Sequence, residues 1–327
     1  MKAFILAGGF GTRLRPLTLT RPKHLLPIAN RPHIEHVFDL LLRHGIDEVV
    51  LMTSYLAEAF ADTLAGAEQM GMKLEVTHEA EPLGTAGALK NAEHLVGDDA
   101  FLAFNGDVLT NVDLSAVIDR HRARQAEASI VLTPVDDPSA YGVVPTKEDG
   151  SVLGFIEKPP RDQAPSNLIN AGIYVLEPSI LERIPVDRVW SAERELFPQL
   201  VAEGARLFAS GTDAYWMDIG TPEKYVQANM DALSGTFPTN AVDAIGPDGV
   251  LAAEPCEIGE GARVSSACLG AGARVASGAT VSGSVLLPSA SVGEGATVVN
   301  CALGERAVVT AGARIENGAI GDGEIIE

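Results

Sequence analysis

Hydrophobic and polar positions follow two different periods along the first part of the chain. Short apolar runs predict strands, and apolar residues three or four apart predict helices. The strands are predicted at residues 3–7, 48–53, 73–77 and 100–105, and the helices at 33–44, 56–64, 87–95 and 114–122. This alternation predicts βαβ units, and therefore a parallel sheet with helices on both faces.

From residue 129 the pattern changes to short strands separated by turns. These strands are predicted at residues 129–134, 141–144, 152–157 and 168–176, and a helix follows at 222–233. Thr221 is the expected N-cap of that helix with Pro222 in its first position, and Asp113 is the expected N-cap of the helix at 114–122.

A third pattern occupies residues 251–327, where single aliphatic residues are separated by glycine and other small residues. They recur every 17 residues in three columns: Val264, Val281, Val298 and Ile315; Leu269, Leu286, Leu303 and Ile320; Ile258, Val275, Val292 and Val309. Such registry predicts a triangular coil with one inward aliphatic side chain on each side. It resembles the left-handed β-helix of hexapeptide-repeat proteins.

The composition divides the chain at a stretch rich in Gly, Pro, Thr and Asn. We therefore predict a first domain at residues 1–235, a linker at 236–250 and the β-helix at 251–327. Stacked coils need a cover at their end, so we expect a homo-oligomer (a dimer or tetramer) or a neighbouring loop to supply it.

Charge and composition narrow the class of protein. A net charge of −20 on 327 residues argues against nucleic-acid binding, which requires a basic face. No run of about 18 apolar residues predicts a membrane span, and no leader pattern is seen, so we expect a cytoplasmic protein. Cys256, Cys268 and Cys301 lack CxxC spacing and are predicted to be small buried thiols in a reducing compartment. His33, His36, His44, His94 and His121 fall on predicted helices and are expected to be solvated or capping.

A glycine cluster with nearby cations is the first candidate for chemistry. Gly8, Gly9 and Gly11 follow the first strand, and Arg13 and Lys23 come soon after. Clustered backbone N–H groups and cations suit a triphosphate, although a tight turn with surface arginines would look similar. The spacing matches neither GxGxxG nor the P-loop. Asp107 follows the fourth strand and is expected at the same sheet edge, where it could bind Mg²⁺.

The whole phrase from Leu6 to Pro27 is much more specific than its glycines. LAGG, GTRL, PLT and then Lys23 before LLP resemble the signature of the sugar-phosphate nucleotidylyltransferases, although His24 stands where proline is more usual. Three later motifs also resemble that family, in the same order: YGVV at 141–144, FIEKP at 155–159 and INAG at 169–172. Asp218 matches the second metal aspartate of the family.

The resemblance implies a Rossmann-like domain with a mixed, mostly parallel sheet, and transfer of a nucleotidyl group to a sugar 1-phosphate. The attacking phosphate is already an anion, so the protein must supply cations, orientation and Mg²⁺ rather than a general base. The implied catalytic residues are Arg13, Lys23, Asp107, Lys158 and Asp218, with Asp107 and Asp218 as metal ligands. The implied nucleotide-binding residues are Leu6, Ala7, Gly8, Gly9, Gly11, Thr12, Arg13, Lys23, Glu79, Glu81, Pro82, Gly84, Thr85 and Asp107. The implied sugar-phosphate-binding residues are Gly106, Gly142, Glu157, Lys158, Asn170 and Gly172.

The segment 78–87 is expected to lie along the base. Guanine presents two adjacent donors that a carboxylate can accept, so Glu79 is the first candidate and Glu81 the second. The LGTAG form also resembles the branch that uses GTP and mannose 1-phosphate, and we expect GDP-mannose as the product. Heptose, valienol or glucose 1-phosphate, dTTP or UTP, and a non-catalytic nucleotide-sugar sensor remain alternatives.

Overall fold

The computed structural model describes residues 1–54, 56–246 and 248–327, which form two compact units. The first unit comprises Met1–Gly9 and Val37–Trp216, and the second comprises Phe10–His36 and Met217–Glu327. Gly8 and Gly9 therefore belong to the first unit, whereas the segment from Phe10 to His36 belongs with the C-terminal repeats. The domain boundaries expected from composition stay a prediction, and Pro247, inside the expected linker, lies outside the described residues.

A nine-stranded mixed sheet forms the centre of the first unit. Four neighbouring strands are parallel, in the order Lys73–His78, Glu48–Thr53, Ala3–Leu6 and Phe101–Asn105. The middle strands are apolar runs because both of their faces are covered, and Phe4, Val50 and Ala103 are buried in one core cluster.

The rest of the sheet is mostly antiparallel, around the long strand Leu168–Leu176, which pairs with Phe101–Asn105, Ala128–Pro134 and Gly142–Val143. Ile156–Glu157 pairs with Gly142–Val143, and Leu207–Gly211 lies parallel to Ala128–Pro134. The mixed α/β sheet expected from the resemblance is thus confirmed. Val108–Thr110 and Trp216–Asp218 are further short strands.

The helices agree with the hydrophobic pattern in order but not always in their bounds. The α-helices are His33–Arg43, Ala61–Gln69, Gly84–Asn91, Leu114–Ala123, Phe197–Glu203 and Pro222–Leu233. A π-helical turn, Ala192–Leu196, precedes Phe197–Glu203. The 3₁₀ turns are Thr12–Leu14, Lys23–Leu25, Ala57–Phe60, Glu93–Leu95, Pro138–Ala140, Arg161–Gln163, Pro178–Arg183 and Val242–Ala244.

Two predicted helices had wrong bounds. The helix predicted at 87–95 begins at Gly84 and ends at Asn91, because the first-turn N–H groups of Ala86 and Gly87 both donate to the Trp190 carbonyl at 2.9 Å. That acceptor lies about a hundred residues away, so the local pattern could not reveal it. The helix predicted at 56–64 is a 3₁₀ turn followed by Ala61–Gln69.

Two predicted strands are shorter than expected. Of residues 152–157 only Ile156–Glu157 forms a strand, because Val152 makes an isolated bridge to Thr146 instead. Of residues 141–144 only Gly142–Val143 is a strand. The strand Leu207–Gly211 and the helix Phe197–Glu203 were not predicted.

The C-terminal repeats form stacked parallel coils in the second unit, consistent with the left-handed β-helix. Each column pairs in the predicted 17-residue register: Val264 with Val281, Leu269 with Leu286 and Ile258 with Val275. The strands are Val250–Ala252, Glu257–Ile258, Arg263–Leu269, Arg274–Val275, Thr280–Leu286, Ser291–Val292, Thr297–Val299, Ala302–Leu303, Val308–Val309, Arg314–Glu316, Ala319–Ile320 and Ile325–Ile326. Most members of the aliphatic columns form the core, where Val281, Leu286 and Val298 are fully buried. Ile258, the first member of its column, was predicted to face inward but is 50% exposed.

The helix Pro222–Leu233 joins two parts of the second unit. Thr221 caps it by accepting from the Lys224 N–H, with Pro222 in the first turn, as predicted. The helix packs on the coil strands Arg263–Leu269 and Thr280–Leu286. Its Asn229 side chain accepts from the Ala29 N–H at 3.0 Å, which ties it to the segment after the glycine loop.

The prediction that the helical histidines are solvated or capping was wrong for three of them. His33, His36 and His121 are at most 4% exposed. His121 is held by Ser129 Oγ at 2.9 Å and Glu177 Oε1 at 3.2 Å, and His36 Nε2 contacts the Ile28 carbonyl. Polar partners from other elements offset the cost of burial. Cys268 and Cys301 are buried as predicted, whereas Cys256 is only partly buried.

Within the described residues, every helix is too short or too polar to cross a membrane.

Candidate functional site

The first predicted nucleotide residues lie at the carboxyl end of the central parallel strands. Leu6 is paired with Asn105 of the neighbouring strand, and the Gly106 N–H donates to the Leu6 carbonyl at 3.0 Å. Ala7, Gly8 and Gly9 continue from one strand, and Asp107 follows the other. The glycine loop start and Asp107 therefore share one edge of the sheet, as predicted from the strand order.

Gly8 lies in close contact with Ser54, which follows the neighbouring strand of the same sheet. A Cβ atom at this position would stand 2.9 Å from Ser54 Oγ, and that hydroxyl donates to the Gly8 carbonyl. A side chain at this position would force the Ser54 hydroxyl to turn away and lose its hydrogen bond to the Gly8 carbonyl.

The predicted phosphate cations lie together in the second unit. Arg13 and Lys23 line one small cavity with Gly11, Thr12, Leu14 and Gly220. Gly11 has a left-handed φ of +60°, which glycine adopts without strain, and its carbonyl accepts from Thr18 Oγ1 at 2.8 Å. The loop thus folds back so that residues ten apart in sequence face the same space.

Asp218 and a lysine that was not predicted join this cation cluster. A Cβ on Gly220 would stand 2.8 Å from Arg13 Nη2 and 3.0 Å from Asp218 Oδ2, so both side chains converge over Gly220. Lys224 Nζ forms an ion pair with Asp218 Oδ1. Lys224 lies in the first turn of the helix capped by Thr221. Because it comes only six residues after Asp218, this short spacing could have identified it as a partner of that carboxylate.

The predicted metal site is not tested by this arrangement. Asp107 belongs to the first unit and Asp218 to the second, so their joint binding of Mg²⁺ stays a prediction. Among the described residues, no three His, Cys, Asp or Glu side chains form a cluster that could hold a metal ion.

The predicted base-reading segment contains one buried and one exposed carboxylate. Glu79 is 5% exposed, and its Oε2 accepts from the Leu83 N–H at 2.9 Å. Burial raises the pKa of Glu79 above its usual value, although the Leu83 hydrogen bond opposes that shift. Glu81 and Pro82 are exposed. Glu79 therefore braces the loop with one oxygen, in addition to any contact with a base.

Gly84 and Thr85 tie the same segment to the chain near residue 190. Gly84 has a φ of +77°, and a Cβ there would meet the Trp190 carbonyl at 2.9 Å. Thr85 Oγ1 donates to Glu193 Oε2 at 2.8 Å and accepts from the Ala192 N–H at 2.6 Å. These contacts explain the small residues of LGTAG structurally.

Three of the predicted sugar-phosphate residues, Gly142, Glu157 and Lys158, are brought together by two short paired strands. Gly142 is in register with Glu157, and a Cβ on Gly142 would stand 3.2 Å from Glu157 Oε2. Lys158 Nζ lies 3.8 Å from Glu157 Oε1, and Arg194 Nη2 lies 3.5 Å from the same oxygen. Glu157, Lys158 and Arg194 are exposed, so they are accessible to an anionic ligand. Arg194 was not predicted, and its own sequence neighbourhood carries no motif that would have identified it.

Asn170 is oriented by a chain of partly buried hydrogen bonds. Its Oδ1 accepts from the Gly172 N–H at 3.0 Å, and its Nδ2 donates to Tyr174 Oη at 2.7 Å. Tyr174 in turn donates to Glu193 Oε1 at 3.0 Å. Burial and then the Glu193 carboxylate hold the pKa of Tyr174 well above its usual value, so the phenol keeps its proton. The sequence reasoning missed Tyr174 and Glu193 because they lie outside the recognised motifs.

Gly172 sits against the end of the strand that leads to Asp107. It has a φ of +73°, and a Cβ there would lie 2.5 Å from Asn105 Nδ2. Glu157, Gly142 and the pair Asn170 and Gly172 therefore lie on three successive strands of the sheet, and the strand of Asn170 and Gly172 is the neighbour of the strand that leads to Asp107.

The mixed α/β sheet, the cations beside its glycine loop and the C-terminal β-helix together are typical of nucleotidyl-transferring enzymes. A family model described as "Nucleotidyl transferase" matches residues 2–235, and one described as "GlmU-like, C-terminal hexapeptide" matches residues 248–324. The chain belongs to the nucleotidyl transferase family, and the expected family resemblance is confirmed.

Two relatives cover most of the chain. A protein named mannose-1-phosphate guanylyltransferase from Mycobacterium tuberculosis is 38% identical over 291 residues, covering 84% of this chain and 80% of its own. A protein named probable mannose-1-phosphate guanylyltransferase 2 from Arabidopsis thaliana is 44% identical over 277 residues, covering 80% of this chain and 74% of its own.

Solved structures agree with the fold of the larger part of the chain. HddC from Yersinia pseudotuberculosis, complexed with GMP-PN, has a TM-score of 0.61 and 31% identity, covering 70% of this chain and 97% of its own. A putative glucose-1-phosphate thymidylyltransferase from Bacillus anthracis has a TM-score of 0.63 and 25% identity, covering 70% of this chain and 94% of its own.

Proposed function

We propose that this protein transfers the guanylyl group of GTP to mannose 1-phosphate, forming GDP-mannose and pyrophosphate. The names of the relatives that match more than two thirds of both chains support the substrates. The observation that carries the chemistry is the cavity in which Arg13 and Lys23 face the same space beside Gly220. Two cations around a glycine-lined space suit a polyanion whose charge must be neutralised before a second anion can approach.

One set of residues is assigned to the nucleoside triphosphate. Arg13 is proposed to hold the β- and γ-phosphates and to stabilise the departing pyrophosphate, while Lys23 lies nearer the α-phosphate. The glycine loop offers its backbone N–H groups at the strand end. No general base is required, since the attacking sugar phosphate is already ionised at neutral pH.

The second substrate is assigned to the strand pair and the Asn170 chain. Lys158 supplies the charge for the sugar phosphate, and Glu157 and Asn170 accept from or donate to sugar hydroxyls. Because Tyr174 and Glu193 hold the Asn170 amide in one orientation, the site presents a preset pattern of donor and acceptor.

Mg²⁺ fits the carboxylates proposed to bind it. Asp218 converges with Arg13 over Gly220 and forms an ion pair with Lys224, and carboxylate oxygens are the hard ligands that this ion prefers. With Asp107 it would hold an ion that neutralises charge on the phosphates. Lys224, by its ion pair, keeps the Asp218 carboxylate in place.

A grid of triphosphates crossed with sugar 1-phosphates tests the proposal. GTP, dTTP, UTP and ATP would be combined with mannose, glucose and heptose 1-phosphates, and pyrophosphate release would be followed. We expect the highest kcat/KM for GTP with mannose 1-phosphate and loss of turnover in Asp107→Ala. Higher kcat/KM for another pair would replace the substrate assignment, and absence of turnover with every pair would favour a nucleotide-sugar sensor.

We also propose a homo-oligomer formed through the β-helix. Exposed aliphatic side chains support it, since Ile258 is 50% and Ile325 is 64% exposed. Sedimentation velocity should show a species larger than 34.3 kDa, and a monomer at every concentration would contradict it.

A further inference from the structure

An arginine between the two phosphate cations and the β-helix is not used in the chemistry above. Arg21 Nη2 donates to Asp322 Oδ2 at 2.7 Å and to Glu305 Oε2 at 2.9 Å. Thr20 Oγ1 donates to the same Asp322 oxygen. The side chains of Arg21 and Asp322 are only 19% and 11% exposed, so these ion pairs are largely shielded from water and salt.

The acceptors are built into the last two coils of the β-helix. Glu305 and Asp322 are 17 residues apart, so they occupy the same position on successive coils, where the two preceding coils carry Ala271 and Pro288. Asp322 Oδ1 also accepts from the Glu305 N–H at 2.7 Å, which fixes the direction of its carboxylate. The acidic pair is thus a local feature of these coils.

Packing near the ion pairs reinforces the contact. A Cβ on Gly321 would stand 3.1 Å from Pro16 Cβ, so the coil surface and the loop meet closely there as well. Earlier in the β-helix, Asn30 Nδ2 donates to the Leu251 and Leu269 carbonyls at 3.2 and 3.0 Å. The segment from Pro16 to Asn30 is therefore fastened to the coils at both of its ends.

The path from Arg21 to the cation cavity is short and stiff. Pro22, with φ fixed near its observed −59°, separates Arg21 from Lys23, which begins a 3₁₀ turn. On the other side, Thr18 bonds to Gly11, which lines the cavity with Arg13. A shift of Arg21 would therefore move both sides of the cavity.

We propose that Arg21 is a positioning residue for nucleotidyl transfer, which the acidic pair Glu305 and Asp322 holds so that Lys23 and Arg13 face the triphosphate. This inference rests on the proposed function of those two cations. It gives the terminal coils of the β-helix a role in the reaction, because they fix the geometry of a loop that binds the nucleotide.

The first experiment separates the two substrates. In Arg21→Gln we expect kcat/KM for GTP to fall about 10–100-fold, since misplacing a binding group by about 1 Å has effects of this size. KM for the sugar 1-phosphate should change less than about 3-fold. Arg21→Lys should recover part of the loss. Arg314→Gln is the control, because it removes an exposed ion pair to Glu316 on the same β-helix and should leave both constants unchanged.

A double-mutant cycle tests whether the acids act through Arg21. Arg21→Gln removes the arginine that the two carboxylates share, although Glu305 keeps an ion pair with Arg306 at 3.2 Å. Adding Asp322→Asn then relieves the repulsion between the two acids and should restore part of the activity rather than lower it further. Additive losses, or wild-type kcat/KM for GTP in Arg21→Gln, would overturn the proposal. So would equal losses for both substrates in proportion to a lowered melting temperature.

A readout without substrate keeps the test independent of the proposed reaction. Amide hydrogen exchange of Leu14 and Leu26, whose N–H groups donate to Gly11 and Lys23, should accelerate in Arg21→Gln, while exchange in Thr280–Leu286 stays unchanged. Unchanged exchange at Leu14 and Leu26 would refute the positioning role. Absence of turnover in the wild-type protein would refute only the proposed function.

Discussion

The Tyr174 hydroxyl donates to Glu193 Oε1 at 3.0 Å and accepts from Asn170 Nδ2 at 2.7 Å. The tyrosine is fully buried, so this relay holds the Asn170 amide from the protein interior. It also connects the residues proposed to bind the sugar phosphate to Thr85 of the LGTAG segment, because Glu193 Oε2 accepts from the Thr85 hydroxyl.

We expect Tyr174→Phe to raise KM for the sugar 1-phosphate about 10-fold and to leave KM for GTP nearly unchanged, because Asn170 loses its orienting partner. Glu193 also loses a donor, so stability should fall by about 1–3 kcal/mol. Tyr225→Phe is the matched control: it removes a buried hydroxyl that donates to the Pro27 carbonyl at 2.9 Å. It should cost similar stability in thermal melts without changing the sugar KM. Equal sugar KM values in the two variants would contradict the relay.

Gly220→Ala should fold but lose activity. Its Cβ would displace the Arg13 guanidinium and the Asp218 carboxylate, which are flexible ends that can move. We expect kcat/KM for GTP to fall about 10–100-fold and the Mg²⁺ concentration for half-maximal rate to rise. Gly97→Ala is the control, since a Cβ there meets nothing within 4 Å. Unchanged Mg²⁺ dependence in Gly220→Ala would argue against Asp218 as a ligand.

Variants of Glu79 and Glu81 distinguish which of the two glutamates contacts the base. Glu79→Gln should reduce the preference for GTP over UTP about 10-fold if the buried carboxylate reads guanine, whereas Glu81→Gln should do so if the exposed one does. Relative kcat/KM values for the two triphosphates decide between them. A preference that neither change alters would remove the proposed basis for guanine recognition.

The buried Glu79 carboxyl should also make the free energy of unfolding depend on pH. Burial raises its pKa in the folded state, so the folded protein binds this proton more tightly than the unfolded chain does. The stability contribution is therefore greatest below the ordinary glutamate pKa of about 4.3 and is lost as pH rises through the folded pKa. Glu79→Gln should accordingly melt at a higher temperature than wild type at pH 7, with the difference shrinking toward pH 4. A difference independent of pH would point to packing instead.

Protonation of the buried His121 should lower the free energy of unfolding in mildly acidic solution. Burial lowers its pKa although Glu177 opposes the shift, so the unfolded chain takes up a proton first, near the ordinary value of about 6.5. The stability from neutral His121 is thus present above about pH 6.5 and is lost as pH falls toward the folded pKa. Urea unfolding at pH 7.5 and 5.5 should show a smaller pH dependence in His121→Asn than in wild type. The same slope in both proteins would contradict this origin.

Local signals in the chain were sufficient for the order of most helices and strands in the first part of the chain and for the C-terminal repeats. Thr221 and Asp113 cap helices as predicted, because capping is made by a side chain within three residues of the N–H groups it satisfies. The 17-residue columns are observed in register from Val264 to Ile315, because each coil repeats the same path and stacks like on like. The glycine phrase at 6–27 indicated the family because it is long and specific.

Contacts between distant segments produce no local pattern that a single sequence would reveal. Tyr174 and Glu193, Thr85 and Glu193, and Arg21 and Asp322 meet only after the strands and coils are assembled, and the last pair is separated by 301 residues. His36 and His121 are buried, against the prediction, for the same reason, since their polar partners come from other elements. Periodicity, capping and register depend on neighbours along the chain, so one sequence reveals them. The orientation of a site depends on which remote side chains pack and pair, and for that the folded molecule is needed.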